Sequence, residues 1–271
     1  MIAYSPSMSK LEKEIALVID SPDPESTIRR VSNLESLGTY TLRPGGTLRL
    51  HDTYFETASG SLGRKRINLR VRQTNKASLI TVKWNPRLLQ WNRSARRELE
   101  LPWSNESLDK ALNELSRSGV VIRSSQSLRV DDPVESLKRM GLRTVQNRET
   151  VRDTKILSTE KNRLDLAELA IDRVTYHFDL QDVSLYELEA EAKDQHGDGA
   201  LDQIREVLLA IFGSELRPWK WGKLVTGKMI EKLLNAHLLE GMFENNHLNK
   251  LGLERLEKAL TRGGIRGILQ A

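Results

Sequence analysis

The sequence contains no cysteine, and this absence excludes several kinds of site. Disulfide bonds, thiolate zinc sites and a cysteine nucleophile all need that side chain. Long apolar runs are also missing, since no stretch approaches the ~18 residues that a membrane-spanning helix requires. The first ten residues, MIAYSPSMSK, lack the basic segment and apolar run of a secretion signal. We therefore expect a soluble, cytoplasmic protein with no membrane partner.

Common catalytic motifs are missing as well. The glycine-bearing segments SGSLGRK and RPGGT do not fit the phosphate-binding loop GxxxxGK[ST]. No GxSxG nucleophile elbow is present, and the five histidines are scattered without the spacing of metal ligands. The sequence thus gives no sign of a nucleotide-binding loop, a serine hydrolase or a histidine metal site.

The chain has 271 residues, of which 38% are hydrophobic and 29% charged. This composition is typical of a folded globular protein with a substantial core. The formal net charge of +5 favours anionic partners in general, such as phosphates or nucleic acid.

Several segments alternate apolar and charged residues with a period of two, which is typical of strands with two unlike faces. They are residues 11–19, RINLRVR, LITVK, RRELEL, residues 144–156, LAELAIDRVTYHF and LYELEAEAK. Because these strands come in consecutive groups, a parallel sheet built from strand-helix-strand units is disfavoured. We predict an α+β fold in which an antiparallel sheet or barrel is decorated by helices.

Helix signals lie between and after the strands. DPESTIRRVSNLESLG predicts a helix that stops at Gly38, and NESLDKALNELSRSG predicts another. DDPVESLKRMG offers Asp132 as a cap and Pro133 at the first helical position, and ALDQIREVLLAIFG is strongly apolar. Two further helices are expected at about 228–240 and 246–262. We therefore divide the chain into a domain at 1–228 and a helical C-terminal extension at 229–271, which could pack on the barrel, self-associate or cap its mouth.

The charged faces of the strands are the most informative feature. Alternate residues on a strand lie roughly 6.6 Å apart on one face, so stacked carboxylates repel unless a cation lies among them. Hard oxygen ligands suit Mg²⁺ or Mn²⁺, and guanidinium groups bind phosphate oxygens in a forked geometry. Acidic and basic strands side by side therefore describe a site for a metal-bound polyphosphate. If the sheet closes, the charged faces line its lumen, and Tyr186, Leu188, Ala190 and Ala192 meet the helices outside.

The order of these segments resembles the CYTH superfamily, also called triphosphate tunnel metalloenzymes. The resemblance covers residues 10–228 and is carried by LEKEIALVI, HDTYFETASGSL, INLRVR, TVK, RRELELP, ELAIDRV, LYELEAEAK and WGKLVTG. It implies a closed antiparallel barrel of about eight strands, with a tunnel that binds triphosphate through basic side chains and Mg²⁺ or Mn²⁺ through acidic ones.

The resemblance also assigns roles to particular residues. The expected metal ligands are Glu12, Glu14, Asp172, Glu187, Glu189 and Glu191, with Glu98, Glu100 and Glu168 as possible outer supports. The expected triphosphate-binding residues are Arg70, Arg72, Lys83, Arg96, Arg148, Arg152 and Lys223. Those expected to act in catalysis are Glu12, Glu14, Arg70, Arg72, Lys83, Arg148 and Lys223.

The first motif departs from the family pattern. Where the family has ExExK, the lysine position holds Ala16, and Lys13 points to the opposite side of the strand. Losing this phosphate contact could lower affinity, shift substrate choice or mark a protein that binds without turnover. Gly222 likewise replaces the usual serine before Lys223.

Four functional hypotheses follow. The leading one is metal-dependent hydrolysis of inorganic, thiamine or nucleoside triphosphate, with adenylyl cyclisation less favoured. The second is a non-catalytic module that binds polyphosphate, a nucleotide or an RNA 5′ end. The third is general nucleic-acid binding through the basic surface, and the last is an open sheet whose charged face is merely solvated. Nucleic acid would enter the site only through a 5′-triphosphate end, and the oligomeric state stays open.

Overall fold

A computed structural model describes residues 10–84, 94–159, 164–193 and 197–269. Within these ranges the strands are β1 (Lys10–Ile19), β2 (Ser36–Leu37), β3 (Tyr40–Thr57), β4 (Ile67–Thr74), β5 (Ser78–Trp84), β6 (Ser94–Pro102), β7 (Leu142–Thr159), β8 (Asp165–His177), β9 (Asp182–Ala192), β10 (Leu216–Pro218), β11 (Phe243–Glu244) and β12 (His247–Leu248). Seven of the eight long strands coincide with the alternating segments, whereas β3 was not among them; the predicted α+β class with an antiparallel sheet is confirmed.

The helices are α1 (Pro24–Ser32), α2 (Ser61–Arg64), α3 (Asn105–Arg117), α4 (Pro133–Arg139), α5 (Asp198–Phe212), α6 (Lys223–Asn235) and α7 (Lys250–Leu269). The cap predicted for α4 is present, because the Asp132 carboxylate accepts hydrogen bonds from the backbone N–H groups of Val134 and Glu135. Among the described residues, none of the helices combines the length and apolar composition needed to cross a membrane.

Three helix boundaries were predicted wrongly. Helix α1 ends at Ser32 rather than near Gly38, because Gly38, with φ of +62°, lies in the turn between β2 and β3. The first C-terminal helix begins at Lys223 rather than about 228, so GKLVTG opens a helix and α6 runs across residue 228. The segment before α7 forms the short β11–β12 hairpin, which delays the start of that helix to Lys250.

The long strands pair in a ring that begins and ends on β1. The order of neighbours is β1, β6, β5, β4, β3, β7, β8 and β9, all antiparallel. Strand β1 pairs with β6 over Lys10–Glu14 and with β9 over Glu14–Val18. The two edges of the sheet therefore meet on this one strand, and the ring has an inner and an outer face.

The outer face is covered by helices on two sides. On β1, β8 and β9 the outward residues include Leu17, Leu169 and Leu188, which pack with Ile204 and Leu208 of α5. A second apolar cluster joins the outward residues of β4, β5 and β6 to α3 and α4. As predicted, Leu188, Ala190 and Ala192 belong to the first cluster, and Tyr186 packs against it. Burial of these apolar stripes leaves the opposite, charged face of each strand for the interior.

Helix α6 forms the floor of the interior. Its first residues contact inward-facing side chains, because Tyr176 Oη donates to the carbonyl of Lys223 at 3.2 Å and Gln146 Nε2 to that of Leu224 at 3.2 Å. The rest of α6 joins an apolar cluster with α7 and the inward residues Val174 and Leu185. One end of the ring is thus filled by protein, and the N-terminus of α6 lies inside it.

Close packing at this floor predicts a cost for Gly227→Ala. A Cβ at Gly227 would lie 2.2 Å from Gln146 Nε2 and 2.7 Å from the Tyr176 ring. Alanine favours helix by up to about 1 kcal/mol over glycine, but overpacking a filled site costs about 1–3 kcal/mol. We expect urea unfolding to show a net loss of stability.

Gly199→Ala is the matched control, since Gly199 also lies in a helix and its Cβ would meet nothing within 4 Å. We expect this substitution to be neutral or slightly stabilising. Equal effects of the two substitutions would contradict close packing of α6 on Gln146 and Tyr176.

Candidate functional site

The inner face of the ring gathers most of the charged residues that the sequence singled out. Cross-strand pairs connect them around the interior, as in Asp52 with Arg72 and Arg148, and Asp172 with Arg152 and Glu187. The members with described side chains are Glu14, Arg70, Arg72, Lys83, Glu98, Glu100, Arg148, Arg152, Glu168, Asp172, Glu187, Glu189, Glu191 and Lys223. The side chains of Glu12 and Arg96 lie outside the described part, although their backbones pair on β1 and β6.

One group of these residues is organised by Asp52, whose side chain is fully buried. Arg72 forms a bidentate pair with this carboxylate, in which Nε donates to Oδ1 at 2.7 Å and Nη2 donates to Oδ2 at 2.9 Å. Arg148 Nη2 also donates to Oδ2, and Arg70 Nη1 lies 3.4 Å from the same oxygen. Burial alone would raise the pKa of Asp52, but Arg70, Arg72 and Arg148 outweigh it and hold that pKa well below its usual value. We call these four residues the arginine group.

Two arginines of this group keep donors that no side chain of the described residues accepts. These are Nε and Nη1 of Arg148 and Nε of Arg70, all buried. Tyr54 lies between the two guanidiniums, accepting a hydrogen bond from Arg148 Nη2 at 3.1 Å. The pKa of Tyr54 is lowered, because Arg148 and Arg70 outweigh the effect of burial. Three arginines converge on Asp52, and two of them keep N–H donors that could bind an anion, so this wall is a candidate anion-binding surface.

The arginine group continues onto β5 and β6. Arg70 Nη2 donates to Glu100 Oε2 at 3.1 Å, and Lys83 Nζ lies 2.8 Å from Glu98 Oε2. Glu98 and Glu100 therefore lie among basic residues, where they orient Arg70 and Lys83.

A second group is centred on the ammonium of Lys223. Its Nζ lies 2.9 Å from Glu187 Oε2 and 3.2 Å from Asp172 Oδ2, and it donates to Glu189 Oε1. Arg152 binds the same cluster from the other side, with Nε 2.7 Å from Asp172 Oδ1 and Nη2 2.8 Å from Glu189 Oε2. We call the three carboxylates with Lys223 and Arg152 the carboxylate group.

Negative charge is in excess in the carboxylate group, which holds three carboxylates and two cations. Glu187 Oε1 is buried and has no hydrogen-bond partner among the described residues. Burial raises the pKa of Glu187, and the nearby Glu189 and Asp172 raise it further against the opposing effect of Lys223. Continuing across the sheet, Glu168 lies opposite Glu191, and Glu191 lies opposite Glu14. This wall of the interior favours a further cation.

The two groups meet at Tyr176. Its ring lies 6.0 Å from the Arg148 guanidinium carbon, and its hydroxyl donates to the carbonyl of Lys223. The interior is therefore polarised, with an arginine-rich wall on β3, β4 and β7 beside a carboxylate-rich wall on β8, β9 and β1. Such a surface suits a polyanion held together with cations.

A comparison with protein families finds the same architecture. The profile described as the CYTH domain matches residues 27–215, which is more than half of the chain. The chain belongs to the CYTH domain family. Comparison with curated proteins gives no significant match.

Solved structures give CYTH-like neighbours of low sequence identity. A proposed adenylyl cyclase from Hippeastrum with a dominant triphosphatase activity is 19% identical, with a TM-score of 0.52 over 80% of this chain and 95% of that one. A proposed adenylate cyclase from Bacillus halodurans is 18% identical, with a TM-score of 0.47 over 80% and 96% of the two chains. An RNA triphosphatase from S. pombe is 10% identical, with a TM-score of 0.35 over 78% and 85%. The Hippeastrum structure, with its TM-score of 0.52, shows that this chain shares its fold.

Two features of the interior were not predicted from the sequence: the role of Asp52 and Tyr54, and the position of Lys223. Asp52 and Tyr54 were missed as site residues, although Asp52, Tyr54 and Glu56 alternate in HDTYFET. A single carboxylate among Thr, Tyr and Phe gives little signal, and only the cross-strand register reveals its three arginine partners. Lys223, expected with the phosphate-binding residues, lies among the carboxylates instead.

No group of three or more acidic or histidine side chains in the described ranges is arranged to hold a metal ion as the side chains lie. The point where Asp172, Glu187 and Glu189 converge holds the Lys223 ammonium. The donor chemistry nevertheless fits a hard divalent cation, since the cluster supplies carboxylate oxygens only and one buried oxygen has no partner.

The arginine group predicts a pH-dependent effect of Asp52→Asn. Removing this buried charge leaves three guanidiniums facing one another, and breaking such a network costs about 3–5 kcal/mol. Because the pKa of Asp52 is lowered by folding, its stabilisation is complete above the unfolded pKa near 4 and is lost as the pH falls towards the folded pKa. Urea unfolding should show a large deficit at pH 7 that shrinks below about pH 4.

The matched control is Asp165→Asn, which removes a carboxylate that forms an exposed ion pair with Arg43. We expect it to cost under about 1 kcal/mol. A deficit for Asp52→Asn that stays constant between pH 7 and pH 3 would show that the charge of Asp52 is not what stabilises the fold.

Proposed function

We propose that this CYTH protein hydrolyses a triphosphate inside the ring, with Mg²⁺ or Mn²⁺ held by the carboxylates. The observation that carries this proposal is the polarised interior, where spare arginine donors lie beside a cluster with excess negative charge. A binding site for a phosphate chain needs the first, and a site for its divalent cation needs the second.

The arginine group would bind and orient the phosphate chain. Arg148 and Arg70 have buried N–H donors available, and Asp52 keeps their guanidiniums fixed before substrate arrives. Preorganised donors stabilise the charge that spreads over a transferring phosphoryl group without the cost of reorganisation. Lys83 would add a point charge at the β5 side of the same wall.

The carboxylate group would hold the metal. Asp172, Glu187 and Glu189 are the candidates with described side chains, and Glu14 and Glu191 adjoin them in the register. When bound, a divalent cation neutralises phosphate oxygens and lowers the pKa of a bound water. A carboxylate of the same group would accept the proton of the attacking water, whereas Arg152 would keep Asp172 and Glu189 in place.

The substrate belongs to the triphosphates, with inorganic, thiamine and nucleoside triphosphates as the candidates. The Hippeastrum protein with the shared fold has a dominant triphosphatase activity, which favours hydrolysis over adenylyl cyclisation as the first reaction to test. A nucleic acid would be a substrate only through a 5′-triphosphate end. We propose a cytoplasmic location, and the division at residue 228 stays a prediction.

A module that binds without turnover is the second candidate, and Ala16 favours it. Ala16 lies opposite Glu189 in the β1–β9 pairing, at the position of the family lysine. A missing cation at this point would weaken the hold on a phosphate chain next to the metal.

Glu189→Gln tests the choice between these functions. We expect the wild-type protein to release phosphate from inorganic triphosphate only with Mg²⁺ or Mn²⁺, and the substitution to lower kcat by on the order of 100-fold, because a carboxylate at the reacting centre becomes a neutral amide. Phosphate release is measured with each metal and with EDTA.

Glu106→Gln is the control, because Glu106 pairs with Lys110 on the exposed face of α3. It should leave turnover unchanged. Tight binding of triphosphate by calorimetry without any phosphate release would instead identify a binding module, and metal-independent release would contradict the proposed role of the carboxylates.

A further inference from the structure

The ammonium of Lys223 lies where the three carboxylates converge. Each carboxylate turns one oxygen towards it, namely Asp172 Oδ2 at 3.2 Å, Glu187 Oε2 at 2.9 Å and Glu189 Oε1. These are the oxygens that a hard divalent cation would take. From this geometry we propose that Lys223 is a built-in competitor for the metal: its ammonium holds the carboxylates together and leaves them when Mg²⁺ or Mn²⁺ binds. This inference rests on the proposed function and concerns the order of events at the same site.

Burial explains why a cation must occupy this point. Asp172 is 0% exposed and Glu187 is 1% exposed, so repulsion between them is poorly screened by water. The carboxylates outweigh the effect of burial and raise the pKa of Lys223 above its usual value, which keeps the ammonium charged. A bound divalent ion would supply the same neutralisation, and the two cations therefore exclude each other from one set of oxygens.

The surroundings allow the side chain to leave while its backbone stays. Lys223 is the first residue of α6, and its carbonyl accepts the hydrogen bond from Tyr176 Oη. Gln146 holds the carbonyl of Leu224 in the next position. The flexible four-carbon stem of lysine can carry Nζ to another acceptor without moving the helix. The phosphate oxygens of a metal-bound substrate would be that acceptor.

Arg152 would keep the carboxylates in place during the exchange. It binds both oxygens of Asp172, through Nε at 2.7 Å and Nη2 at 2.6 Å, and Glu189 Oε2 at 2.8 Å. The oxygens of Glu189 are divided between the two cations, with Oε2 on Arg152 and Oε1 on Lys223. Departure of Lys223 therefore frees Glu187 Oε2 and Glu189 Oε1, removes one of the two cations that contact Asp172 Oδ2, and leaves the Arg152 contacts intact.

The experiment measures Mn²⁺ binding to the full chain without triphosphate, by calorimetry and by the EPR signal of free Mn²⁺. Lys223→Met removes the charge and keeps the apolar stem, and we expect it to bind Mn²⁺ about tenfold more tightly because the competitor is gone. Lys223→Gln removes the charge but keeps two donors, and serves if the methionine variant does not fold. Lys223→Arg retains a cation and should bind Mn²⁺ as weakly as the wild-type protein.

The control for a general change of charge is Lys83→Met, since Lys83 pairs with Glu98 away from the carboxylate group. We expect its Mn²⁺ affinity to stay within about twofold of the wild-type value. Equal tightening by Lys83→Met and Lys223→Met would overturn the proposal, because it would reflect net charge rather than competition at shared oxygens.

Two further outcomes separate this inference from the proposed function. Unchanged or weaker Mn²⁺ binding in both neutral Lys223 variants, together with metal-dependent phosphate release by the wild-type protein, would overturn the competition and leave the hydrolysis standing. Failure of the wild-type protein and of every variant to bind Mn²⁺ would overturn the competition, and the absence of metal-dependent phosphate release as well would overturn the proposed function.

Discussion

The structure depends on neutralising charges that the strands turn inward. Apolar residues occupy the outward positions of the ring, where they meet the helices, so every second side chain faces an enclosed interior. Carboxylates and guanidiniums there cannot rely on water for screening, and each must find a partner across the ring. Asp52 with its three arginines, and Lys223 with its three carboxylates, are two solutions of this problem with opposite signs. In both, several like charges converge on one opposite charge, and further partners such as Glu100 and Arg152 contact them from the side.

The two groups carry net charges of opposite sign, and this imbalance is what allows the interior to bind a ligand in our proposal. A fully balanced network would be inert, whereas the arginine group has more positive than negative charges and the carboxylate group has the reverse. Both groups keep buried atoms without a hydrogen-bond partner among the described residues, namely N–H donors on Arg148 and an acceptor oxygen on Glu187. A phosphate chain accompanied by a divalent cation carries both complements, so one ligand could satisfy the two walls together. Binding and charge compensation would then be the same event.

The period-two alternation was sufficient to predict every long strand except β3, because a strand with one buried apolar face leaves a strong pattern in LYELEAEAK or INLRVR. The antiparallel arrangement and the external helices followed from the order of the segments. The helix ends near Gly38 and Lys223 were wrong, since glycine also serves turns between strands and nothing local marks Lys223 as a first helical residue. Asp52 could not be recognised, because its importance comes from partners that are 20 and 96 positions away. Which carboxylate meets which cation is a property of register, and one sequence does not contain it.

Helix α6 supplies both the floor of the interior and the lysine at its centre, although it begins after residue 215, where the family match ends. The eight-stranded ring therefore does not contain the whole site, because Lys223 lies on α6. A chain cut after residue 215 would keep every long strand and still lose the closed end of the cavity, the Lys223 ammonium among the carboxylates and the partners of Gln146 and Tyr176. The region recognised from sequence likeness is thus smaller than the unit that encloses the charged interior.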